Sequence, residues 1–330
     1  QALLIRPDYP EALYNRGLLR LHLCQLQDGY VDHLHRWRSK KFSHTPLQLP
    51  IRPFRQGESL LGRCLIWAEQ GLGDEIFYAG LLSLFLSRYS KLDLAIDKRL
   101  HPIFKRSFPG IGLLDRAQPL GALEIDCYDA QAPIGDLGYL LAVDEASIRA
   151  TREPYFKSNP ERVHQIRTLN PFTQPGLVCG IAWKSENQDI GKDKSIKLAD
   201  LAPVLRIKGF HFVNLQYGPV QGELDLMRDH LGIDIHNIEH IDLFEDIDGL
   251  LALIDACDVV ITSSNVTAHL AGAIGKKAAV IVPYGKGRIW YWHHGHVSSL
   301  WYPKMTVLEA GPINDWATSI DSCAEWLKNM

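Results

Sequence analysis

Residues 259–282 pass from an apolar run, Val259-Val260-Ile261, through a loop of hydroxyl and amide residues, Thr262-Ser263-Ser264-Asn265, into small helical residues closed by Gly275, and back to an apolar run, Ala278 to Val282. Two buried strands joined by one short helix fit a parallel sheet, which puts the loop at its carboxyl edge, where open α/β sheets bind ligands. The free N–H groups and dipole of the first helical turn favour an anion there. The side chains of Ser264, Asn265 and Thr267, with the backbone of Val266 and Ala268, are the candidate phosphate donors, and His269 follows in the first turn. An ordinary capped helix is the competing account of the same spacing.

Alternation of this kind recurs along the chain. Strands are expected at Cys64–Ala68, Leu92–Ile96, Ile111–Leu114 and Ala122–Ile125, with helical stretches at Ile76–Leu86 and His101–Ser107. A stretch holding Pro154, Pro160, Pro171 and Pro175 comes before a second set: strands at Val178–Trp183, His211–Gln216, Ile235–Ile238, Val259–Thr262 and Ala279–Val282. Helices are expected between them at Leu198–Leu205, Glu223–Leu231 and Ile247–Asp255. Two parallel-sheet domains follow from this pattern. Trp316, Ile320, Cys323 and Leu327 stand at helical spacing in a final segment.

The 330 residues exceed one ordinary domain. With 46% hydrophobic and 22% charged residues the composition is globular, and 38 acids against 35 bases give no basic face for nucleic acid. The six cysteines form no C-x-x-C pair, so buried thiols in a reducing cytosol are expected rather than disulfides or zinc ligands. No apolar run approaches the ~18 residues of a membrane span. The first residue is not Met and no signal-peptide pattern follows, which reads as a cytoplasmic piece of something longer.

Several segments together resemble the bacterial glycosyltransferases of the heptosyltransferase type, in the branch linked to tetratricopeptide repeats. They are Ile66-Trp-Ala-Glu-Gln-Gly-Leu-Gly-Asp74, Gly180-Ile-Ala-Trp-Lys184, Phe212-Val-Asn-Leu-Gln-Tyr-Gly218, Asp242-Leu-Phe-Glu-Asp246, Ala256 to Gly275 and Trp301-Tyr-Pro303, in that order over roughly 240 residues. At the amino end, Ala2 to Pro10 resembles the tail of one repeat and Glu11-Ala-Leu-Tyr-Asn-Arg-Gly17 the start of the next, with Gly17 and Gly29 at the small positions of close helix packing. Arg16 and Arg20 stand where such repeats usually carry apolar or aromatic residues. One repeat cannot bury its own apolar face, so further repeats are expected before it.

The resemblance implies a GT-B fold, two Rossmann-like domains facing a cleft. It divides the chain into a helical segment at 1–40, a proline-bearing surface linker at 41–61, an acceptor domain at 62–170, a nucleotide-sugar donor domain at 171–312, and a last helix at 313–330 that in this family often crosses back to the first domain. It implies metal-independent, inverting transfer from a nucleotide sugar to a hydroxyl, with a protein acceptor bound through the repeat segment as the first choice. A repeat-linked scaffold without activity and a lipopolysaccharide transferase are the alternatives.

Transfer needs a base for the acceptor proton and positive potential for the leaving diphosphate. Asp74, after Gly71 and Gly73 in the first glycine loop, is the candidate base, with capping of a helix from Glu75 as its other reading; Glu69 is next in line. Lys184 is the candidate phosphate cation, ahead of Lys192 and Lys194. Gln216 and Tyr217 are candidates for base or ribose, and Arg288 for donor or acceptor. Many heptosyltransferases carry an aspartate where this chain has Ser264, so heptose itself is not carried over. Gly71-Leu-Gly-Asp-Glu-Ile76 lacks the third glycine of a dinucleotide fingerprint, so no cofactor is expected. Asp246-Ile-Asp248 lies at a helix start and reads as a cap, and His293-His-Gly-His296 reads as a loop among aromatics rather than a metal site.

Overall fold

The computed structural model describes the chain except residues 41, 43, 45, 46, 59–61, 90, 119, 120 and 122–124. It forms two compact units, Gln1–Tyr155 and Phe156–Met330. Among the described residues no helix is long and apolar enough to cross a membrane.

After a four-residue helix, Ala2–Ile5, the first unit has two helices, Pro10–His22 and Leu26–His33, packed side by side and followed by a 3-10 turn, Leu34–Arg38. Pro10 sits at the first helical position, where its missing N–H costs nothing. A Cβ on Gly17 would collide with the backbone of Asp32 and His33, so glycine is what lets the helices approach. Arg16 and Arg20 have a reason to be polar: both bind the buried carboxylate of Asp32, at 2.6 and 2.7 Å.

Next comes a four-stranded parallel sheet in the order β3-β2-β1-β4, with β1 Cys64–Trp67, β2 Leu92–Ile96, β3 Gly112–Asp115 and β4 Ala130–Pro133. β1 and β2 are buried along their whole length, as continuous apolar runs in a parallel sheet should be. β4 is absent from the sequence expectation. Ala-Gln-Ala-Pro has no β-branched or aromatic residue to announce it, and its proline is tolerated because the strand is at the edge. Most of the strand expected at Ala122–Ile125 lies outside the described residues. The linker expected at 41–61 does more than lie on the surface: Pro53 bridges to Gln131 of β4, and Ile51 and Phe54 are buried.

The second unit holds six parallel strands in the order β10-β9-β8-β5-β6-β7. They are β5 Leu177–Ala182, β6 Phe210–Asn214, β7 Ile235–His236, β8 Val259–Ser263, β9 Ala278–Val282 and β10 Met305–Glu309. β10, also unforeseen, is an edge strand whose Thr306 and Glu309 interrupt its apolar character. Helix Pro160–Arg167 packs on helix Ile247–Ala256, so the second unit starts ahead of residue 171, where sequence analysis opens the donor domain. The last helix, Trp316–Lys328, buries Ile320, Cys323, Ala324 and Leu327 in the core beneath β5 and β9. Its apolar stripe is therefore spent inside its own unit.

Candidate functional site

In the first unit, β1 runs out at Trp67, and a short turn leads to helix Leu72–Ala79. Gly71 is the N-cap, exposed and without a capping side chain, while Gly73 and Asp74 lie in the first turn. Asp74 is thus not the cap of a helix beginning at Glu75; its N–H donates to the Gly71 carbonyl at 3.0 Å and its carboxylate turns back toward Gly71. Its acid at the positive end of a helix is favoured by the dipole. The Asp74 charge acts on Tyr14, Glu75 and Tyr78, which marks these as its neighbours.

Glu69, the reserve candidate for the base, is fully committed elsewhere. Arg36 donates from Nε to Oε1 at 3.0 Å and from Nη2 to Oε2 at 2.7 Å, and the same Nη2 lies 2.6 Å from Asp136. Burial pushes the carboxyls of both Glu69 and Asp136 up, against the pull of Arg36. Glu75 was not foreseen. It is wholly buried, paired with Arg116 at 2.7 Å, and accepts the Asp97 N–H at 2.8 Å. Burial, opposed by Arg116, raises its carboxyl to about 7.

In the second unit, β8 leads through Ser264 and Asn265 into helix Val266–Ala273. Asn265 caps that helix, accepting the Thr267 N–H at 2.9 Å. It also accepts the Thr262 hydroxyl and donates its amide to the Lys184 carbonyl at 3.1 Å, which ties the ends of β8 and β5 together. Ser264 accepts the indole N–H of Trp292 at 2.8 Å. Both side chains are engaged by the protein, Asn265 through its oxygen and its amide and Ser264 through its oxygen. What the loop offers an anion is the helix end, the half-buried Val266 backbone, and the Thr267 hydroxyl, which is buried with no hydrogen-bond partner among the described residues. Ala268 is wholly buried and its N–H donates to the Asn265 carbonyl.

His269 is a core residue. Its ring nitrogens meet the hydroxyls of Tyr302 at 2.8 Å and Tyr291 at 3.1 Å, and its ring stacks on Trp292. Burial lowers its pKa to about 3, so it stays neutral. Gln216 braces the sheet: its Oε1 accepts the N–H groups of Trp183 and Lys184, pinning the end of β5 to that of β6.

No protein-family model matches the chain. Protein FlbA of Caulobacter vibrioides is 30% identical over 357 aligned residues; the alignment takes in all of this chain, which spans 58% of that protein's length. Among solved structures, the glycosyl transferase family 9 protein of Veillonella parvula superposes with a TM-score of 0.60 at 10% identity, over 83% of this chain and 98% of that one. An E. coli ADP-heptose LPS heptosyltransferase II gives 0.53 at 12% identity, over 81% and 99%. The fold is GT-B-like. At such identities the likeness concerns the fold alone.

Within this GT-B-like fold the cations are arranged differently from expectation. The Lys184 ammonium lies 2.6 Å from Glu223, whose other oxygen accepts the Trp183 indole N–H. Lys194, ranked behind Lys184 by sequence, is buried in the turn Lys192–Lys194, and its charge helps depress the His269 imidazole. The Arg288 side chain is only 2% exposed and is filled by the carbonyls of Trp292, Pro283 and His293 and by Glu309 at 2.8 Å. It shapes the loop from within and does not reach out to a ligand. His294 pairs with the same Glu309. Asp246 accepts the Gly249 N–H as an N-cap and binds Arg162, which accounts for its acid-x-acid motif.

Tyr217 lies three residues beyond β6. With Phe244, 5.7 Å away ring to ring, it lines a cavity of 270 Å³ at the carboxyl ends of β6 and β7, together with Asn214, Asn237, Glu239 and Asp242. Gly218, at φ 90°, makes the turn that opens it, in the left-handed region glycine enters freely. Phe244 belongs to the Asp242–Asp246 motif, so the sequence did carry a signal for this wall.

Proposed function

We propose that the protein is a glycosyltransferase that moves a sugar from a nucleotide-sugar donor to an acceptor hydroxyl, with inversion and without a metal. The observation that carries the reading is the GT-B-like fold over more than four-fifths of the chain, with its two loops of interest following β1 and β8. Those are the carboxyl ends of parallel strands, the general ligand edge of such sheets. The neighbours' names supply the class: one is a family 9 glycosyl transferase and another an ADP-heptose heptosyltransferase.

On this reading the second unit holds the donor. The Tyr217–Phe244 cavity takes the nucleoside, an aromatic slot rimmed by amides and carboxylates. The diphosphate meets the amino end of helix Val266–Ala273, the Thr267 hydroxyl and the Lys194 ammonium, so fixed dipoles and a buried cation do the work of charge stabilisation. Asp74 takes the proton of the acceptor O–H. The acceptor oxygen bonds to the anomeric carbon as that carbon's bond to the diphosphate oxygen breaks, and the diphosphate leaves with the electron pair.

The acceptor we propose is a protein hydroxyl, approached through the helical pair at the amino end and whatever repeats precede it. Calorimetry with ADP, GDP, UDP and CMP in excess chelator tests the donor assignment. Binding of one of them without metal is the expected result, and binding that disappears on chelation would overturn the metal-free mechanism.

A further inference from the structure

The helical pair is not attached to the first unit by its surface. Tyr30, 1% exposed, lies so close over Gly138 that any Cβ there would enter its ring. Arg36, 0% exposed, is the cation between two carboxylates, buried Glu69 after β1 and half-buried Asp136 after β4. Every nitrogen of its guanidinium is used: Nε and Nη2 on Glu69, Nη2 on Asp136, Nη1 on the His33 carbonyl. Its plane also rests on Trp37, 4.6 Å from the ring centre.

Glu69 is five residues before Asp74. The same turn is held from its far side, where Arg116 donates to the Gln70 carbonyl at 2.6 Å and pairs with Glu75. Residues before and after Asp74 in the chain are thus held by two arginines, one of which comes from the helical segment. Tyr14 of helix Pro10–His22 packs on His33 at 5.7 Å.

Resting on the glycosyltransferase reading above, we propose that Arg36 is a positioning residue for transfer. Its fork fixes Glu69, and through it the turn that presents Asp74, making the helical segment part of the acceptor-side machinery rather than a docking appendage. A planar guanidinium matches two carboxylates at once in fixed geometry, which a lysine ammonium cannot. A general base displaced by about 1 Å loses roughly a hundredfold in rate.

Two variants test this in the full chain. Arg36→Lys keeps the charge and breaks the fork. Arg36→Met/Glu69→Met/Asp136→Leu removes all three charges, and apolar replacement of a buried ion cluster is commonly tolerated by the fold. Hydrogen exchange over residues 68–80 is read against residues 259–275 as an internal reference. Release of nucleotide is followed on whichever of the ADP-, GDP-, UDP- and CMP-linked sugars the unmodified protein consumes.

The expected result is exchange about tenfold faster in the 68–80 segment and unchanged in the reference. Turnover should fall about ten- to a hundredfold with donor KM and nucleoside diphosphate affinity held. Exchange and turnover both within about twofold of the unmodified protein, in a folded Arg36→Lys variant, would overturn the proposal. Should the triple variant not fold, Arg36→Lys decides alone. If the unmodified protein consumes none of these sugars, the transferase reading is what fails, and the exchange result still decides whether Arg36 sets the turn.

Discussion

Lys184 and Glu223 face each other at 2.6 Å, so the cation that sequence ranks first for the diphosphate is already neutralised by a carboxylate of helix Gln221–Leu231. Glu223→Gln should therefore tighten nucleoside diphosphate binding by up to about fivefold, the range set by a partly exposed pair. Calorimetry on the variant measures it, and weaker binding would mean that Glu223 itself serves the ligand.

Lys194 carries the larger expectation. Lys194→Met should weaken nucleoside diphosphate binding about tenfold or more while leaving the bare nucleoside unaffected, because a charge-assisted hydrogen bond is worth roughly 1.5–3 kcal/mol. Equal losses for nucleoside and diphosphate would point to a folding defect instead.

Asp74→Asn separates chemistry from structure. The helix starts at Leu72 under a Gly71 cap, so the amide costs at most about 1 kcal/mol of dipole interaction. Donor affinity should hold while turnover falls about 10²–10⁴-fold, the span for losing a general base. Transfer at near-normal rates would remove Asp74 from the mechanism.

Asn265→Ala should lower stability by about 2 kcal/mol or more. It deletes a helix cap, worth ~1 kcal/mol, and strips the Thr262 hydroxyl and the Lys184 carbonyl of a partner. Asn265→Asp would keep the cap but place a carboxylate against that carbonyl, so denaturant melts should rank it between the parent and the alanine variant.

Glu75 gives a pH signature. Its folded pKa, about 7, lies above the ordinary 4.5, so between these values the folded chain holds a proton that the unfolded chain has released. Stability contributed by this group is full below about pH 4.5 and declines as pH rises toward 7. Glu75→Gln should flatten that slope in melts taken from pH 5 to 8; an unchanged slope would mean that Arg116 keeps Glu75 ionised throughout.

The strands were legible because parallel, doubly covered strands such as Cys64–Trp67 and Val259–Ser263 must be continuous apolar runs. The edge strands β4 and β10 were not, since an edge tolerates Gln131, Pro133 and Thr306. At the site, the loops lie at strand ends as the sequence placed them, while the partners of individual side chains were not legible. Ser264 meets Trp292 28 residues away, Lys184 meets Glu223 at 39, and Glu69 meets Arg36 at 33. Nothing local in the chain encodes such partners. Arg36 in particular sits in His33-Leu-His-Arg-Trp-Arg38, where no neighbouring acid in the chain points to its pairing with Glu69 and Asp136.

That packing decides what can be exchanged between relatives. A body cut free at residue 62 would lose Tyr30 from over Gly138 and would leave Glu69 and Asp136 without the Arg36 counter-ion. Recombination between two such proteins should therefore succeed only where the crossover carries Tyr30, Arg36, Glu69, Asp136 and Gly138 from the same parent, making these five positions one inherited unit spread over more than a hundred residues.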